Sequence, residues 1–266
     1  MSFKSIRKSV VSGSFYPHKK EEILEYINHF NNFETNVETF EDIKAIIVPH
    51  AGYIYSGFTA NLAYKLVSSL KKDIKRVVVI GPSHRVYLKG ASVAIYDEFE
   101  TPFGNLKIDK EFSQKFIDKY DFLEFNVECE FEHSTETQAP FIKYYFADVE
   151  LVEVVYGEIN YEDLSKVIDE VLKDKSNFVV ISTDLSHFYT LEEAQKLDNI
   201  CLEAIDKKDL KLFDYCEACG KIGVKAIINW AIKNNFDTKV LNYCTSADVT
   251  KDKSRVVGYT SALIGR

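Results

Sequence analysis

Apolar positions along this chain fall into two kinds of run. Ile43 to Val48, Arg76 to Ile80 and Asn177 to Ser182 carry short, continuous, largely β-branched blocks with no polar face. Blocks of that kind predict strands buried on both sides, as in the parallel part of an α/β sheet. The second kind recurs at helical spacing. Lys19 to Phe30 places Ile23, Tyr26, Ile27 and Phe30 on one face, and Phe58 to Leu70 does the same with Leu62, Leu66 and Leu70. The order strand, helix, strand from Ile43 to Ile80 is a βαβ unit.

The same reading extends to the C-terminus. Short strands are predicted at Ala91 to Tyr96 and Leu106 to Ile108, around the turn Thr101-Pro102-Phe103-Gly104. Helices are predicted at Lys110 to Tyr120 and from Glu132-His133-Ser134 to about Phe146, with Ser134 as N-cap. A strand at Val149 to Val155 and an amphipathic helix at Tyr161 to Leu172 precede the third apolar block. Leu191 to Lys207, Asp209 to Cys216 and Gly223 to Lys233 read as helices, and Lys239 to Cys244 and Val256 to Ile264 as strands. No linker-like tract interrupts the pattern. The expectation is one α/β domain over residues 1–266, an α/β/α sandwich with a central mixed sheet.

In such sheets ligands gather beyond the carboxyl ends of the strands. Four residues with useful chemistry fall there. Ile43–Val48 runs into Pro49-His50-Ala51-Gly52, and Val77–Ile80 into Gly81-Pro82-Ser83-His84. The block ending at Ser182 leads to Thr183-Asp184-Leu185-Ser186-His187, and Cys244 closes a predicted strand. Imidazoles and a thiolate are ligands for iron, copper or zinc. Each residue also has a plainer reading, as a cap or turn former, and nothing local makes distant residues meet.

Composition narrows the field. With 46% hydrophobic residues the chain can bury a large core, and a net charge of −8 without a basic patch argues against nucleic acid as a partner. No apolar run reaches the roughly 18 residues of a membrane span. The first residues lack an apolar core of signal-peptide length, so a cytoplasmic protein is expected. Five cysteines fit reduced thiols or metal ligands better than a disulfide framework. Cys216-Glu217-Ala218-Cys219 has no second pair to complete a zinc site and reads as core filling. No phosphate-binding glycine motif occurs.

Five blocks carry a resemblance: Pro49-His50-Ala51-Gly52-Tyr53-Ile54-Tyr55-Ser56-Gly57, Gly81-Pro82-Ser83-His84, Glu132-His133-Ser134, Ser182 to His187, and Arg255-Val256-Val257-Gly258-Tyr259. In order and spacing they resemble the MEMO (mediator of cell motility) family, from about Ser12 to the C-terminus. That family is similar in fold to the class III extradiol dioxygenases of the LigB type. The resemblance implies His50, His84 and Cys244 as metal ligands, with Asp184, His187 and His133 lining the same pocket. The ring-cleaving enzymes use a glutamate where Cys244 is implied here, so a catechol substrate does not follow. Fe(II) or copper is the favoured ion, with zinc as the third option. His187 is the expected acid/base, because imidazole titrates near neutral pH, and Asp184 would orient it or bind the metal. Two classes of function remain open: a metal-dependent redox enzyme on an unknown small molecule, or a non-catalytic protein using the same cleft. The second would be a phosphopeptide adaptor or a metal-handling accessory, alongside a radical-SAM partner as the family's prokaryotic members suggest.

Overall fold

The computed structural model describes residues 4–33, 37 and 39–266. Twelve strands among them are β1 Ile6–Arg7, β2 Ile43–Val48, β3 Arg76–Pro82, β4 Ala91–Val93, β5 Glu98–Phe99, β6 Leu106–Ile108, β7 Leu123–Glu124, β8 Glu150–Tyr156, β9 Asn177–Ser182, β10 His187–Tyr189, β11 Asp237–Thr245 and β12 Val256–Gly265. They join in one sheet with the order β1-β5-β6-β8-β3-β9-β2-β12-β10, with β11 paired to β12 and β4 to β8. The centre, β6-β8-β3-β9-β2, is parallel. β12 runs antiparallel to β2, and β11 to β12, so the sheet is mixed as expected.

Alternation along the central strands feeds two cores. Ala45, Ile47, Val78, Ile80, Val179 and Ile181 face one side, where they pack with α6 (Tyr161–Leu172) and α8 (Lys221–Asn234). Ile46, Val48, Val77, Val79, Phe178 and Val180 face the other, under α1 (Lys20–Asn31), α2 (Tyr53–Leu70) and α5 (Ala139–Phe146). Successive side chains of a strand point to opposite faces, so continuous apolar runs are what a doubly covered sheet requires. No helix among the described residues is long and apolar enough to cross a membrane.

Several expected boundaries move, each for a local reason. The helix expected at Phe58 begins at Tyr53, straight after Gly52, so the turn carrying His50 is tighter than the pattern suggests. The expected helix through Ser134 to Phe146 is two: α4 (His133–Glu136) and α5, separated at Thr137 and Gln138 ahead of Pro140. Ser134 is not the cap; Glu132 is, accepting the Ser134 backbone N–H. Asp209 to Cys216 contributes only a 3-10 turn at Leu212–Tyr215, and Ala91 to Tyr96 only three strand residues.

The cysteines depart furthest from expectation. Cys201, on α7 (Leu191–Asp206), and Cys216 form a disulfide, with Cα atoms 4.8 Å apart. The 3-10 turn packs against α7 and brings the two together, a tertiary event with no local signature. Both are buried, and Cys129, Cys219 and Cys244 remain free thiols.

Candidate metal centre

Three imidazoles meet where the parallel strands end. His50 lies two residues past β2, His84 two past β3, and His133 opens α4. One ligand atom from each lies within 4.8 Å of the others. Ring centroids stand 5.2 Å apart for His50 and His84, 5.4 Å for His50 and His133, and 4.6 Å for His84 and His133. His133 reaches the other two because Ser134 Oγ donates 2.8 Å to the Pro82 carbonyl, tying α4 to the end of β3. Glycine makes this approach feasible: a Cβ at Gly81 would sit 2.5 Å from Ser134 Oγ.

Each ring is held differently. His50 is 2% exposed, and its Nδ1 lies 2.9 Å from Ser182 Oγ. Its backbone N–H donates 2.8 Å to Asp184 Oδ1. Burial, then the neighbouring His84 and His133, drives its pKa well below the ordinary histidine range, so it stays neutral and able to donate a lone pair. His84 sits at the mouth with its backbone N–H 2.6 Å and its Nδ1 2.9 Å from the Glu132 carboxylate. Burial pushes the Glu132 carboxyl up, but the His84 ring and backbone and the Ser134 N–H outweigh it and hold its pKa at about 2. His133 Nδ1 is 3.2 Å from Glu132 Oε1, too far off line for a hydrogen bond, and has no other partner. Burial lowers the His133 pKa.

A sulfur also stands beside His50, that of Cys219. Cys219 Sγ lies 3.3 Å from His50 Nε2 and accepts the Asp184 backbone N–H at 3.2 Å. Burial, then the Asp184 carboxylate, pushes its thiol up to about 12. The Cys219 loop presses onto the end of β9, where a Cβ at Gly220 would meet Thr183 Cβ at 2.5 Å. Cys219 and Cys244 both lie outside the three-histidine group itself, and Cys244 is close enough to Asp184 to be influenced by its carboxylate. Cys244 sits on β11 opposite Tyr259, with Sγ 3.1 Å from Thr59 Oγ1. Cys219-Gly220 was the only hint the sequence held: a thiol followed by a residue that permits close backbone approach.

Asp184 and His187 border the same space in different roles. Asp184 is buried and spends one oxygen on the His50 backbone, so it braces the turn; burial raises its pKa. His187 is half-buried at the start of β10, ahead of Phe188, whose φ of 66° and 61% exposure set it on the rim under Arg255. A cleft of about 420 Å³ opens from the centre, lined by His84, Arg85, Tyr87, Tyr156, Cys219 and Ile222 among others.

The donor set suits a metal ion. Bonds of about 2.0 Å to nitrogen and 2.3 Å to sulfur, spread tetrahedrally, separate the two ligand atoms by roughly 3.5 Å. The Cys219–His50 spacing of 3.3 Å fits. Neutral imidazoles at His50 and His133, the latter with a buried ring nitrogen that has no partner among the described residues, are the state in which such a site binds.

Comparison with known proteins agrees with the blocks read from the sequence. A family model described as "Memo-like protein" matches residues 7–263. A "MEMO1 family protein" of Aquifex aeolicus is 35% identical, over 96% of this chain and 97% of its own length. One of Methanobrevibacter smithii is 34% identical, over 97% and 99%. One of Nitrosopumilus maritimus is 32% identical, over 96% and 98%.

Proposed function

This chain belongs to the Memo-like family, whose model spans nearly all of it, and we propose that it carries a transition-metal centre at the three-histidine pocket. In this reading His50, His84 and His133 hold the ion and the Cys219 thiol beside His50 supplies a fourth donor. The observation that carries it is the convergence of three imidazoles from three separate segments, with the Cys219 thiol beside one of them, His50. Such an ion, when bound, supplies a Lewis acid and, as iron or copper, a redox couple. A thiolate donor favours copper or zinc over a carboxylate-preferring ion, while imidazoles also suit iron.

The surrounding residues support redox chemistry on a small molecule in the cleft. His187, near Asp184 and His50, is the group proposed to hold or move a proton. Arg85 and Tyr87 line the cleft and would orient a polar substrate. Asp184 keeps the His50 turn and the Cys219 loop in register through its side-chain and backbone hydrogen bonds.

Protein purified without chelators is expected to carry about one transition-metal equivalent per chain by elemental analysis. His50→Ala and His84→Ala should lose it; unchanged content in both overturns the reading. With cobalt(II), a thiolate charge-transfer band should appear in the parent and in Cys244→Ser but not in Cys219→Ser. Oxygen uptake with reductant, lost in His187→Ala, would favour an enzyme over a metal-handling accessory.

A further inference from the structure

We infer that Ser182 is a positioning residue that holds His50 as its Nδ1–H tautomer, leaving the Nε2 lone pair turned to the pocket. The argument is a count of protons around one buried hydroxyl. Ser182 Oγ has three neighbours: the Ser134 carbonyl oxygen at 2.5 Å, Gln138 Nε2 at 3.0 Å and His50 Nδ1 at 2.9 Å. A carbonyl can only accept, so the single hydroxyl proton goes to Ser134. An amide nitrogen can only donate, so Gln138 takes one lone pair of Ser182. The remaining lone pair faces His50 Nδ1, which must carry the hydrogen.

The alternative fails on contact. Were His50 Nδ1 bare, Ser182 would turn its proton to the ring and leave the lone pairs of two buried oxygens opposed at 2.5 Å. Nor can Gln138 flip to relieve this. Its Nε2 also donates 2.9 Å to the Pro49 carbonyl, and its Oε1 accepts from the Tyr64 hydroxyl at 3.1 Å. A flipped amide would set oxygen against the Pro49 oxygen. The tautomer of the ring is thus dictated through Ser182 by two backbone carbonyls that have no freedom to change roles.

The consequence rests on the metal reading above, since a ligand imidazole is commonly oriented by the group on its other nitrogen. For His84 that group is a carboxylate; for His50 it is a neutral hydroxyl. The tautomer itself is observable with no metal present. Long-range proton–nitrogen-15 spectra of metal-free protein with labelled histidine, assigned by the signal lost in His50→Gln, should show Nδ1 protonated and Nε2 bare. Ser182→Ala should shift His50 toward the Nε2–H form, and Ser182→Thr, which keeps the hydroxyl, should restore the parent spectrum.

An Nε2–H form in the parent overturns the inference whatever the variants do. So does an unchanged tautomer in a Ser182→Ala protein whose melting curve shows it folded. In cobalt(II) titration, Ser182→Ala should weaken binding about 10- to 100-fold, with Ser182→Thr near the parent. If the parent binds no cobalt, the metal centre is refuted, and the nitrogen spectra still decide the tautomer.

Discussion

β2 and β3 end alike in sequence and unlike in surroundings. Both run from an apolar block through a proline into a histidine. His50 is buried, its ring held by a neutral hydroxyl and its backbone N–H by the Asp184 carboxylate. His84 stands at the mouth with 29% of its side chain exposed, held by a carboxylate. The backbone of Glu132 is tied to a charged network, because Arg7 Nη2 donates 2.8 Å to its carbonyl while Nη1 pairs with Glu136 at 2.9 Å and Nε with Glu153 at 3.2 Å. One local pattern therefore yields a rigid, uncharged ligand on one side and a charge-supported, accessible one on the other. What distinguishes them is which distant segment arrives: Ser182 from β9, or Glu132 ahead of α4.

The comparison can be broken most forcefully from the charged side. Arg7→Ala leaves Glu136 and Glu153 buried without their cation and is expected to cost about 3–5 kcal/mol in chemical denaturation. A loss below about 1 kcal/mol would mean the network does not support the His84 side. Glu132→Ala leaves three N–H donors without their acceptor and should cost roughly 2–4 kcal/mol, with a loosened His84 ring visible in nitrogen-15 relaxation.

Acid should separate the two sides next. The Glu132 pKa is held at about 2, below the roughly 4.3 of a free glutamate. Its contribution is present above the unfolded value and is lost as pH falls through the folded one. His50 and His133 act in the same direction at milder pH. Their lowered pKa values mean that unfolding takes up protons once pH drops below about 6.5. Stability should therefore fall in two stages from pH 7.5 to 2, and Glu132→Gln should flatten only the lower one. A single stage unaffected by that substitution would contradict the assignment. The smallest effect is expected at the thiol beside Thr59: Cys244→Ser should change stability by less than about 1 kcal/mol and leave metal content intact.

Much of the architecture was legible because parallel strands covered on both faces must be largely apolar, and β2, β3 and β9 read that way. His50, His84, Asp184 and His187 were legible for a related reason: they follow such strands directly, and the fold carries strand ends to one edge. Cys219 was not, because its sulfur arrives on a loop whose path is set by Gly220 packing onto Thr183, a contact between residues 37 positions apart. Cys244 lies near the end of β11, as the sequence suggested, with its thiol 3.1 Å from Thr59 Oγ1. The Cys201–Cys216 bond was hidden in the same way, since neither cysteine lies in a pattern that differs from ordinary core. The break between α4 and α5 was written in Pro140 but overridden in the reading by the apolar residues beyond it.

The bridge between Cys201 and Cys216 fastens the backbone to α7 three residues ahead of the sulfur that touches His50. Whoever handles this protein at the bench inherits that arrangement. A buffer charged with dithiothreitol cuts the fastening and also offers competing sulfur to any bound ion, so two disturbances arrive in one reagent. A phosphine reductant, or a Cys201→Ser chain kept under argon, pulls them apart and reveals how much of the pocket's grip is owed to a bond that never enters it.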